Sequence, residues 1–171
     1  QKGGRGKKRV QLMGSGTILM EVMAAAELLK QDWGVDSDIW SCTSFTELRR
    51  DGIDCERWNL LHPEEKPRLP YVAQCLQGHE GPAVASTDYM RSFPEQIRPY
   101  LDRHFMTLGT DGYGRSDTRE NLRRFFEVDR YYVTVAALKA LADEDTIKAD
   151  QVSKAIKQYG IDTEAPNPST V

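Results

Sequence analysis

The sequence predicts an α/β domain: three layers, with a mainly parallel sheet between helices on both faces. Three observations predict it. Short apolar runs at residues 10–13, 39–42, 83–86 and 105–108 read as strands. Between and after them stand segments whose apolar residues recur at helical spacing. Capping residues and glycines mark the junctions, so local signals agree with the global pattern. Strands that alternate with helices build a mainly parallel sheet covered on both sides.

The first strand, residues 10–13, ends in Gly14, Ser15 and Gly16. A helix over residues 17–33 follows, with apolar residues at 18, 19, 22, 23, 26 and 29, and Gly34 stops it. Residues 39–42 form the second strand. Ser44 and Glu47 have capping-box spacing and open a helix that Gly52 interrupts. A second helical turn, residues 55–61, ends before Pro63. Residues 64–68 place four charges around a proline and read as a solvated loop. A short helix over 71–76 precedes the third strand, 83–86, and the fourth, 105–108. Asp117, three residues before Glu120, has the spacing of another capping box and opens a helix over 120–126. Asp129 caps a helix over 131–143, although Tyr131 to Val135 has strand propensity. A last helix, 149–159, stops at Gly160, and Pro166 and Pro168 lie in an extended tail.

A length of 171 residues suits one domain, able to bury roughly 70% of its unfolded surface. With 39% hydrophobic and 29% charged residues the composition is that of a soluble globular chain. No apolar run nears the roughly 20 residues that span a bilayer, so no membrane partner is expected. The basic N-terminus lacks the apolar core of a signal peptide, which points to the cytoplasm. Residues 1–10 hold five basic side chains and no acid, leaving 18 basic against 26 acidic residues elsewhere, about −8. The basic arm carries no aromatic residue to stack on a base, so residues 1–9 read as an interdomain linker rather than a nucleic-acid contact. They also suggest that the chain is part of something longer. Cys42, Cys55 and Cys75 are odd in number and far apart, which fits free thiols in a reducing compartment.

Two loops are candidate sites. Gly14, Ser15, Gly16 and Thr17 lie between strand and helix, where free N–H groups can hold an anion. A nicotinamide or flavin reading fails, because Leu19 replaces the third small residue and no acid ends the second strand. The richer loop is GTDGYGRSDTR at residues 109–119, with three glycines in six residues between strand and helix. Its candidates are Gly109, Asp111, Gly112, Tyr113, Gly114, Arg115, Ser116, Asp117 and Arg119. The arginines suit a carboxylate or phosphate, or else pairs with Asp111 and Asp117 that stiffen the loop. Contact with another domain or subunit is the favoured role. His62, His79 and His104 are far apart and read as surface or helix-end residues. Asp88 and Tyr89 follow a strand end and could face a neighbouring domain. No catalytic set and no metal site is expected.

The loop 109–119, followed by FFEVD at 125–129, resembles the C-terminal domain of the homodimeric bacterial pyruvate dehydrogenases, thiamine-dependent enzymes with a transketolase-like C-terminal domain. VQLMGSGTIL at 10–19, TSFTELRRDG at 43–52 and YGID at 159–162 resemble the same family, in order along almost the whole chain. The resemblance implies a transketolase C-terminal fold over residues 10–171. It implies a parent that decarboxylates pyruvate on thiamine diphosphate with magnesium and passes the acetyl group to the lipoyl group of an acyltransferase. This domain would then hold no cofactor: Asp111–Gly112 lacks the first glycine of the usual Gly-Asp-Gly grip, and Asn121 stands alone and too near. Its partners would be other domains of the same chain, the second subunit of a homodimer and the acyltransferase. The alternatives are a stand-alone anion-binding or regulatory module, and the matching domain of another thiamine-dependent 2-oxo acid dehydrogenase.

Overall fold

In the computed structural model, which describes residues 8–171, four strands form one parallel sheet in the order β2-β1-β3-β4. These are β1 (Arg9–Gly14), β2 (Asp36–Ser41), β3 (Ala83–Ser86) and β4 (Phe105–Leu108). The helices are α1 (Leu19–Trp33), α2 (Phe45–Leu61), α3 (Tyr71–Leu76), α4 (Ser92–Glu95), α5 (Arg119–Phe125), α6 (Arg130–Asp143) and α7 (Ala149–Gln158). Most of the expected linker, residues 1–7, lies outside the described residues. Arg9 opens β1 and its guanidinium meets Asp38 at 2.6 Å.

Alternation along the strands divides the core in two. Val10, Leu12 and Val84 pack with Val22, Ala25 and Leu29 of α1 and with Val133, Ala137 and Leu141 of α6. Met13, Ala83, Ala85 and Phe105 pack with Phe45 of α2 and with Val72 and Leu76 of α3. Helices therefore cover both faces, the expected three layers. The stripe on α1 is shifted from the expected one: Ala25 is buried and Met23 exposed.

Most expected ends hold. The Ser44 hydroxyl accepts a hydrogen bond from the Glu47 N–H at 3.2 Å, and Asp129 Oδ1 accepts from the N–H groups of Tyr131 and Tyr132. α1 and α7 stop at left-handed Gly34 and Gly160. Other ends differ. β2 starts three residues earlier than its apolar run, because polar Asp36 to Asp38 pair in register with Arg9 to Gln11. α2 runs unbroken through Gly52, where the Tyr100 ring lies against the helix: a Cβ there would stand 2.3 Å from ring atoms. Glycine is at this position for close approach, not as a break. The tail is not extended. It forms a 3-10 turn, Pro168–Thr170, with Pro168 buried and its carbonyl packed on Gly112.

Alanine favours a helix over glycine by about 1 kcal/mol. Gly52→Ala should nonetheless destabilise by about 1–3 kcal/mol through overlap with Tyr100. In a Tyr100→Ala background the same change should become stabilising. Urea midpoints of the four proteins test this, and additive effects would contradict the packing. Ser44→Ala should lower the midpoint by an amount equivalent to about 1 kcal/mol.

Candidate functional site

All four strands run parallel, so their carboxyl ends share one edge. β1 and β3 are neighbours whose following chains leave toward opposite faces, the place where open α/β sheets form a crevice. Side-chain hydroxyls tie this edge together. Ser15 Oγ donates to Thr87 Oγ1 at 2.7 Å, with both residues buried. Thr17 Oγ1 donates to Asp88 Oδ2 at 3.4 Å. Thr110 donates its N–H to the Tyr89 carbonyl at 2.9 Å and its hydroxyl to the Asp88 carbonyl at 2.8 Å.

The loop between β4 and α5 is long rather than tight. Gly112 has φ of 108°, where a side chain would be strained, and its missing Cβ leaves room for the Pro168 carbonyl 2.2 Å from where that Cβ would stand. Tyr113 is 79% exposed, and Gly114, Arg115 and Ser116 are also exposed. The cap of α5 is one residue later than expected. Thr118 Oγ1 accepts from the Asn121 N–H at 3.3 Å, while Asp117 accepts from the Thr118 N–H and the Asn121 side-chain amide. Asp117 is spent on its neighbours, so Thr118 takes the capping position. The Asn121 amide and the Thr118 N–H hold the Asp117 carboxyl below its ordinary range.

The stiffening ion pairs, one alternative for the loop arginines, do not form among the described residues. Asp111 accepts from the Arg91 N–H at 3.1 Å, and Asp117 is occupied as described. Arg115 instead lies over the Phe125 ring, 4.3 Å from its centre. The Arg119 side chain has no hydrogen-bond or ion-pair partner among the described residues. Both sequence-read loops meet in one crevice of about 420 Å³, to which Thr17, Gly112, Gly114, Arg115 and Arg119 contribute. The Asp88 carboxylate also faces it and stands beside Gly16, at the helix start where an anion was expected.

Behind α5 lies a second cleft of about 870 Å³, built around a buried acid. Glu21 is 5% exposed. It accepts from Arg123 Nη1 at 2.9 Å and from Arg130 through N (3.0 Å), Nε (2.9 Å) and Nη2 (3.2 Å). Burial alone would raise the Glu21 carboxyl. Hydrogen bonds and charge from Arg130, then charge from Arg123, outweigh it and hold the group below its ordinary 4.5. Arg124 meets Asp129 at 3.3 Å and donates to the carbonyls of Tyr159 and Gly160. The sequence reading missed this cluster. Its one local signal is an acid in the first turn of α1 beside the apolar stripe.

The histidines stay apart. His62 stacks on Trp58 at the end of α2, His79 meets Asp38 at 3.2 Å, and His104 approaches Asp143 at 3.7 Å. Cys42 and Cys55 are buried and Cys75 half-buried, all free thiols. Burial pushes the Cys42 thiol up to about 11. Of the two residues compared with the usual diphosphate grip, Asp111 accepts from the Arg91 N–H and the Asn121 amide donates to Asp117. Among the described residues no three His, Cys, Asp or Glu side chains gather as metal ligands.

The transketolase-like C-terminal domain family matches residues 1–129. The chain belongs to that family. It is similar to the pyruvate dehydrogenase E1 component of Cupriavidus necator, 64% identical over 163 residues, which is 95% of this chain and 18% of that protein. The corresponding proteins of Pseudomonas aeruginosa and Escherichia coli are each 57% identical, over 93% and 95% of this chain and 18% of their own length. The chain thus spans about a fifth of the length of these relatives. A split-gene transketolase, an inactive β4 tetramer, shares the fold with a TM-score of 0.54 and 15% identity, over 80% of this chain and 40% of its own. The fold expected for the transketolase-like domain is the one observed.

A lowered folded value means that the Glu21 contribution to stability is present above pH 4.5 and is lost as pH falls through that lowered value. Asp38, also lowered, has the same sign below 3.8; Asp129, raised by burial, has the opposite sign. Glu21→Gln should therefore flatten, without abolishing, the acid limb of stability below about pH 4.5. Glu21→Ala should cost about 3 kcal/mol, because two arginines lose their partner. Urea midpoints across acid pH test both, and an unchanged acid slope in Glu21→Gln would contradict the assignment.

Proposed function

We propose that this chain is the C-terminal domain of a thiamine diphosphate-dependent pyruvate dehydrogenase, an oxidoreductase. The carrying observation is 64% identity over 95% of the chain with an E1 component of which it spans 18%. In this reading the parent decarboxylates pyruvate and acetylates the lipoyl group of an acyltransferase. Thiamine diphosphate and magnesium are held by upstream domains, and substrate choice is made there. This domain supports the homodimer and contacts between domains, works in the cytoplasm within the multienzyme complex, and is inactive alone. Binding of nucleic acid or membrane forms no part of the role.

The loop at residues 109–119 supports the contact role. Tyr113 is an exposed amphipathic anchor on a loop fixed at both ends, the kind of residue that dominates interfaces. Tyr89 and Met90, exposed at the end of the neighbouring strand, extend the same edge. A loop already held by its own hydrogen bonds loses little entropy on docking.

The test is a chimaera in which this chain replaces the matching C-terminal part of the Cupriavidus necator relative. It should dimerise and transfer acetyl groups from pyruvate, while the chain alone binds no thiamine diphosphate by calorimetry and turns over no pyruvate. Turnover by the chain alone, or an inactive chimaera that is folded, would overturn the reading. Tyr113→Ala with Arg115→Ala in the chimaera should weaken dimerisation or acetyl transfer and leave the thermal midpoint of the isolated chain in place. Wild-type sedimentation and rate would reduce the loop to a turn.

A further inference from the structure

The crevice at the carboxyl edge is lined by two arginines without a carboxylate partner, and the loop-contact role gives no part to Arg119. The Arg119 side chain has no hydrogen-bond or ion-pair partner among the described residues, and the Arg115 guanidinium lies over the Phe125 ring. Arg123, the third arginine lining the crevice, is committed to Glu21. Thr17 and Thr110, whose hydroxyls donate to Asp88, also line it, and Ile18 and Leu122 give the crevice an apolar wall. The single acid on its lining is Asp88.

We propose that this crevice binds a carboxylate that carries a short apolar group. The guanidinium fork matches a carboxylate in two parallel hydrogen bonds. The apolar wall receives the rest of the molecule. Two unpaired cations against one acid leave one positive charge in excess, which suits a monoanion. A dianion such as phosphate meets stronger repulsion from Asp88. The carboxylate has two possible sources, a free organic acid or an acidic side chain of a neighbouring domain in the longer parent. Both present the same chemistry to the same residues. This goes beyond the domain-contact role, and its main test does not depend on that role.

The experiment is an amide NMR titration of the full chain with sodium butyrate, with sodium phosphate at matched ionic strength and butanol as comparators. Butyrate should shift the Thr17 and Thr110 amides saturably in the millimolar range, and both comparators should bind more weakly. Arg119→Gln, which removes a side chain with no partner to lose, should weaken butyrate binding severalfold. Arg115→Gln with Arg119→Gln should weaken it about tenfold or more. Absence of saturable shifts, an equal response to phosphate, or undiminished binding by either folded variant would overturn the proposal. Repeating the titration on the chimaeric enzyme separates the sources. Retained butyrate binding identifies a free acid, and binding seen in the chain but lost in the chimaera identifies a carboxylate supplied by another domain.

Discussion

The buried Glu21 carboxylate is the constraint on which the position of α5 at the carboxyl edge depends. An acid that is 5% exposed is tolerated only when its oxygens are met by compensating donors. Arg123 comes from α5 and Arg130 from the first turn of α6, so one carboxylate fixes three helices against one another. The arrangement matters most for α5, which is seven residues long and buries none of them. A helix that short gains little from its own hydrogen bonds. Its position is set by Arg123 on Glu21, Arg124 on Asp129 and the Tyr159 and Gly160 carbonyls, and the Thr118 cap. Replacing a buried ion pair by apolar side chains can be equally stable. What the charged version adds is direction, because a guanidinium fork accepts few orientations.

The sheet is held differently. Val10, Leu12, Met13, Ala83, Val84 and Ala85 are at most 2% exposed, and the two apolar layers on either face give non-directional stabilisation. Polar side chains enter where position counts. Gln11, fully buried, donates to Asp38 and the Glu80 carbonyl and accepts from the Trp40 indole N–H. Ser15 and Thr87 do the same work at the opposite end of β1 and β3. Apolar burial thus forms the body, and hydrogen bonds fix the two edges from which loops leave.

This division explains what the sequence made legible. Buried parallel strands read as short apolar runs, so β1, β3 and β4 stand close to where the sequence placed them. β2 did so only in part, because an edge strand accommodates half-buried polar residues such as Asp36 and Ser37 that carry no apolar signal. Local caps at Ser44 and Asp129 were readable, since donor and acceptor lie within three residues. At α5 two adjacent capping residues competed, and the choice of Thr118 over Asp117 turned on Asn121. Gly52 was misread because its reason for being glycine, Tyr100, lies in another element. The Glu21 cluster joins residues 102 and 109 positions apart, a separation that no periodicity or spacing rule records.

The candidate site follows the same pattern. Sequence alone marked the two glycine-bearing loops, since each stands where a strand gives way to a helix. It did not show that they share one crevice, which is a consequence of β3 lying between β1 and β4. Nor did it show which charges remain free. Asp111 is drawn to Arg91 by the turn after β3, and Asp117 to Asn121 by the cap of α5. Each of those local commitments removes an acid from the reach of Arg115 and Arg119. The acids are therefore spent on holding the loop and the arginines are not, so that stiffness and the proposed recognition reside in different residues of one segment. Such separation lets the edge hold its shape whether or not another group occupies it, the condition under which a contact surface binds without first having to fold.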